Sequence, residues 1–166
     1  MATVDLNHAY GTATGTVEGG YQYEKFGTAS NTIDNDFDTT YRGRMWDIAQ
    51  NSWIRITVIV EYDFVIPSIT SYRLLHRDVA RQNAERDIYL YSWEGSSWVE
   101  KHHRWKQIGY DDGEIDEEYA VTCNNVTKVK SVIYDVALPA PASEVEIQWR
   151  KFICYGVLGG GYSFTM

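Results

Sequence analysis

The sequence predicts an all-β fold, an antiparallel β-sandwich of jelly-roll type. Residues 53–62, WIRITVIVEY, set Ile54, Ile56, Val58, Val60 and Tyr62 on one face and Arg55, Thr57 and Glu61 on the other. That period of two marks a strand with one face in the core. Residues 144–150, EVEIQWR, repeat the pattern, with Val145, Ile147 and Trp149 opposite Glu144, Glu146, Gln148 and Arg150. No segment carries apolar residues at helical spacing over three turns.

Further strands are expected at 69–75, 87–93, 97–100, 119–123, 127–136 and 152–158, where β-branched and aromatic residues gather. The best helix candidate, DVARQNAERD at 78–87, is mostly polar and is expected to form a loop with one turn. About eight strands separated by turn chemistry fit a sandwich or jelly roll. There is no internal repeat, linker or low-complexity stretch, so residues 1–166 read as a single domain with enough chain for a proper core.

Composition narrows the functional classes. The formal net charge is −8, which argues against a nucleic-acid partner, since a phosphate backbone needs a basic stripe. No apolar run approaches the length of a membrane span, so no membrane insertion is expected. The opening MATVDLNHAYGTATGTVEGG lacks a basic segment followed by an apolar one, so no signal peptide is read there. Aromatic residues make up 14% of the chain, with 13 Tyr and 6 Trp, and such side chains build strands, sugar platforms and interfaces. Cys123 and Cys154 could bridge if two late strands bring them together, but the preferred reading is two buried free thiols.

NTIDNDFDTTYR, residues 31–42, concentrates charge: Asp34, Asp36 and Asp38 alternate and Thr39 follows. Two accounts stand side by side. Carboxylate, hydroxyl and carbonyl oxygens from one short loop are what a hard cation such as calcium needs. A turn in which Asp and Thr side chains bond local backbone amides would use the same residues. DDGEIDEE at 111–118 is expected to be a solvated loop, and His102-His103 an exposed pair whose rings point to opposite faces. The chain has no G-x-S-x-G, H-E-x-x-H or P-loop sequence, and no enzymatic activity is expected of it.

Residues 31–41, NTIDNDFDTTY, resemble the hallmark of the discoidin (coagulation-factor type C) domains and related sugar-binding modules, an Ile-Asp-Gly-Asp turn leading to Thr and an aromatic. Asn35 stands for the glycine and Tyr41 for the usual tryptophan. NHAYGTATG (7–15), NSWIRITV (51–58), IYLYSWEGSSWVE (88–100) and the closing GGGYSFTM resemble further segments of that family, in its order. The resemblance implies a galactose-binding-like jelly roll, non-catalytic, with one structural calcium. Matched residue by residue, Asn31, Asp34, Asp36 and Thr39 would hold the ion; a closing-strand Glu that the family often adds has no counterpart.

For sugar, the resemblance implies an Arg and an Asn a few residues apart, here Arg77 and Asn83 of HRDVARQN, taken as a loop. Arg44 and Trp46 stand where the family keeps a His, and Tyr162 offers a second stacking ring. Trp46, Arg77 and Asn83 are expected to converge on one exposed concavity. The function so implied is recognition of a glycan or glycoconjugate in an extracellular, cell-surface or virion-exposed setting. The rival is a jelly roll that packs against a partner protein or its own copies.

Overall fold

The computed structural model describes residues 4–20, 23–46, 53–80, 84–108, 113–137 and 144–158. A two-residue strand β1 (Val4–Asp5) leads into a single helical turn α1 (Leu6–Tyr10), capped by the Asp5 carboxylate, which accepts from the His8 amide. There follow β2 (Gly11–Gly19), β3 (Tyr23–Phe26), a 3₁₀ turn (Ala29–Thr32) and β4 (Tyr41–Trp46). Five longer strands complete the described chain: β5 (Trp53–Ala80), β6 (Ala84–Glu94), β7 (Ser97–Ile108), β8 (Gly113–Ala137) and β9 (Glu144–Val157).

All strand pairs are antiparallel, and β5 and β8 each serve two layers. Residues 53–61 of β5 pair with 128–136 of β8, between β2 on one side and β6 and β7 on the other. Past a register break, residues 66–78 pair with 113–126 and border β9, β4 and β3. Asn125, with φ of 53°, lies at the corner of β8. Strands that switch sheets through such bends are how a sandwich turns its corners.

The two layers face one another across one core. Ile54, Ile56, Val58 and Val60 from the first layer, and Ile147 and Trp149 from the second, are all 0% exposed. Tyr72 of the second layer and His102 of the first share a hydrogen bond of 2.6 Å between Oη and Nδ1. At Gly43 the layers approach so closely that a Cβ would lie 2.8 Å from both Ile54 and Val17 side chains, which is why a residue without one stands there.

The core also holds charge. Arg86 of β6 and Asp135 of β8 are fully buried neighbours, with Arg86 Nε 2.5 Å from Oδ1 and Nη2 donating to Oδ2. His76 of the opposite layer lies 3.2 Å from Arg86 Nη1 through its Nδ1. Burial raises the Asp135 carboxyl against the pull of Arg86. Burial first, then Arg86 and Lys106, pushes His76 well below its ordinary value, so it stays neutral.

Several expectations need correction. Within 78–87, residues 78–80 extend β5 and 84–87 open β6, while 81–83 lie outside the described residues. The polar Arg86 points inward there, because its carboxylate partner comes from 49 residues away. Of the acidic stretch, residues 113–118 belong to β8 instead of a solvated loop, and 111–112 lie outside the described residues. Its carboxylates answer donors on β5: Asp116 takes both Arg73 Nε and Nη2 at 2.6 Å, and Glu118 accepts from Ser71. His102 turns inward to Tyr72, and only His103 is exposed. Cys123 and Cys154 are buried free thiols, and burial raises both.

Candidate functional site

The 31–39 segment folds into a compact acidic turn. The Asp36 amide donates to Asp34 Oδ1 at 3.1 Å, and the Asp38 amide to Asp36 Oδ1 at 2.9 Å. Thr39 Oγ lies 2.8–2.9 Å from the two Asp34 oxygens and 2.8 Å from the Asp36 carbonyl. The Asn31 amide group closes the turn onto the Thr40 carbonyl at 2.9 Å. Asn35 does not take the positive φ of the glycine it replaces; among the described residues only Asn125 does so without being glycine.

Into the middle of this turn comes Lys151 of β9. Its Nζ is 2.6 Å from Asp34 Oδ1 and 2.8 Å from the Asn31 carbonyl. Burial alone would raise the Asp34 carboxyl, but Lys151, Thr39 and the Asp36 amide together hold it below its usual range. Asn31, Asp34, Asp36 and Thr39 do supply the oxygens a calcium ion would need. In this structure the point they surround carries the Lys151 ammonium. Lys151 gives no sign of this role in sequence, where it reads as a surface residue.

Of the residues expected to bind sugar, the side chains of Arg44 and Arg77 are described. Arg44 lies on β4 and Arg77 on β5, both on strands instead of loops, with β9 between them. Arg44 is opposite Glu146 and Arg77 opposite Gln148, so the two arginines share one outward face with Arg42, whose Nη1 is 3.5 Å from Glu146. Trp46 ends β4 opposite Glu144, and its side chain, like Asn83 and Tyr162, lies outside the described residues. The face holding Arg44 and Arg77 alternates cations and carboxylates and offers no described tryptophan to stack on.

The other layer carries a described group of outward aromatic rings. Across β5, β8 and β6, Trp53, Tyr134, Tyr89 and Tyr91 point away from the core around a depression of about 500 Å³. Trp53 and Tyr134 have ring centroids 5.8 Å apart, and Tyr89 and Tyr91 stack at the same distance. His103 of β7 lies parallel to Tyr89 at 4.3 Å and is fixed by Asp87 at 2.6 Å. The rings stand on paired strands, so their spacing is set by backbone hydrogen bonds and not by a loop.

Two cations complete the depression. Arg55 directs Nε and Nη2 to Glu18 at 2.8 and 2.5 Å, and no described residue accepts from Nη1. Lys130 is held between Tyr91 and Trp98, 4.6 and 4.7 Å from their ring centres, with no carboxylate partner among the described residues. Burial and the Arg55 charge lower its affinity for a proton. Apolar faces beside fixed donors, in a cavity of this size, match the make-up of small-molecule sites. The sequence signal was the run IYLYSW, in which Ile88 and Leu90 go inward and Tyr89 and Tyr91 outward. Among the described residues, no three His, Cys, Asp or Glu side chains gather as a metal cluster.

No protein-family model and no curated protein matches the chain. Solved structures do. TmCBM61 in complex with β-1,4-galactotriose is 10% identical, covering 84% of this chain and 86% of its own, with a TM-score of 0.50. CBM32-3, from a family 31 glycoside hydrolase of Clostridium perfringens, is also 10% identical, covering 93% and 95%, with a TM-score of 0.50. At such identity the likeness speaks for the fold alone. The chain therefore has the discoidin-like, galactose-binding-like jelly-roll fold seen in carbohydrate-binding modules.

Proposed function

We propose that this protein is a non-catalytic glycan-recognition domain whose ligand lies in the depression framed by Trp53, Tyr89, Tyr91 and Tyr134. The observation that carries the reading is the joint presence of four outward rings and two cationic donors on one rigid strand surface. A pyranose has an apolar C–H face and a hydroxyl rim. The rings suit the first, while Arg55 Nη1 and the Lys130 ammonium suit the second. Bound galactotriose in TmCBM61 supports the class of ligand without fixing this site or this sugar. A glycan outside the cell or on a virion surface is the partner that fits.

A glycan array on the purified protein, followed by calorimetric titration of the best ligand, tests this. Tyr89→Ala should weaken binding by about 2 kcal/mol, or roughly 30-fold, as loss of a central aromatic anchor does. Arg77→Ala, on the other layer, should leave the affinity unchanged. The reverse result would move the site to the Arg44 and Arg77 face.

One observation favours the rival. Trp105 is 54% exposed on the strand next to Tyr89, so the aromatic surface extends beyond the depression. Stable self-association by light scattering, with an empty glycan array, would assign that surface to protein packing.

A further inference from the structure

We propose that the ε-ammonium of Lys151 is the resident cation of the 31–39 turn, so that this chain holds its acidic loop with a side chain where its resemblance implies calcium. The lysine side chain is 2% exposed, while its partner Asp34 keeps 36%. A buried lysine is tolerated only when paired, and among the described residues this ammonium meets the acidic turn at Asn31 O, Asp34 Oδ1 and, 5.5 Å from Nζ, the Phe37 ring, with its charge also felt by the Asp5 carboxylate.

The strand is built to deliver it. Opposite β5, Leu75 pairs with Lys151 and His76 with Trp149, which leaves Arg150 as the extra residue of a bulge. Such a bulge re-aims side chains and reverses which parity faces inward. Trp149 and Phe152 consequently both enter the core, and Lys151 turns toward the 31–39 turn. The Trp149 indole donates to the Lys151 carbonyl at 3.0 Å, bracing the bulge, and Arg150 Nη1 reaches the Phe37 carbonyl at 3.2 Å. Two consecutive cations thus clamp one loop.

A divalent ion needs the same oxygens at about 2.3–2.6 Å. It cannot share them with an ammonium already 2.6 and 2.8 Å away. Asp36 instead turns its carboxylate to the Asp38 amide. On this proposal the turn keeps its local hydrogen bonds and takes lysine, not calcium, as its cation.

Thermal unfolding of the purified protein in EDTA and in millimolar calcium chloride provides the test. The wild-type midpoint should be the same in both, and a calcium-dependent rise would overturn the proposal, since an ion that binds only the folded state must raise it. Lys151→Met, which keeps the stem and removes the charge, should lower the midpoint by about 5 °C; an unchanged midpoint would equally overturn it. Lys151→Glu should acquire a calcium response that the wild type lacks. Should that variant fail to fold, the wild-type comparison decides alone. None of these readouts involves a glycan, so the outcome is independent of the binding site.

Discussion

Asp135→Ala is expected to cost about 3–5 kcal/mol of folding free energy, the usual penalty for removing one partner of a buried ion pair. The carboxylate and the Arg86 guanidinium are each 1% exposed, and they meet through two hydrogen bonds. Without Asp135, the guanidinium stays in the core with its charge uncompensated, and the neighbouring His76 cannot supply a negative one. For a chain of this length, that penalty lowers the midpoint by roughly 6–20 °C. Asp116→Ala gives the comparison: its pair with Arg73 has the same fork, yet the side chains are 46% and 31% exposed. An exposed pair is worth about 1 kcal/mol or less. Urea unfolding of the two variants should separate them clearly, and equal losses would mean that burial of the Arg86 pair carries no special weight.

Acidification should weaken the fold well before carboxylates such as Asp34 and Asp116, held low by their cations, protonate. His76 and His102 both titrate below their ordinary value in the folded protein. Burial is the main cause for each, helped by Arg86 and Lys106 at His76, and by Arg104 and His103 at His102 against a weaker pull from Glu100. Asp135 also faces His76 through Arg86, but burial raises that carboxyl and blunts its help. The unfolded chain therefore binds more protons as pH falls through about 6.5, so stability falls with it, by at most about 1.4 kcal/mol per unit for each histidine. His76, the more deeply buried of the two, should carry the larger share of that loss. Asp116, whose carboxyl Arg73 holds down, adds its loss only below about pH 4. Urea midpoints measured across this range should decline for the wild type and flatten in His76→Gln. A flat wild-type profile would show that the buried imidazoles do not control it.

What was legible in the sequence was whatever one strand states about itself. The alternation in 53–62 and 144–150 named the inward residues, and each of Ile54, Ile56, Val58, Val60, Val145, Ile147 and Trp149 is buried. The acidic turn was also legible, because its hydrogen bonds are local. Features set by distant partners were not. Arg86 in a polar decapeptide gives no sign of Asp135, and the acids at 113–118 give no sign of Arg73 and Ser71. Lys151 was hidden by the bulge, since strict alternation cannot reveal where the parity reverses. The aromatic depression was obscured for a related reason. A strand reading IYLYSW has apolar residues on both faces, so the pattern does not say which side meets solvent.

The two corner-turning strands have a consequence for how the chain reaches this state. Because β5 and β8 each lend one half to either layer, neither layer can be completed while the other is absent. Their ends meet only when Trp53 finds Val136 and Asp78 finds Gly113, so closure spans loops of very different length. Loop entropy must be spent before those pairings return anything. Folding should accordingly be slow for the chain's size, with one dominant barrier at which the corner residues 62–66 and Asn125 are already set, and the rim strands β3 and β7 joining afterwards.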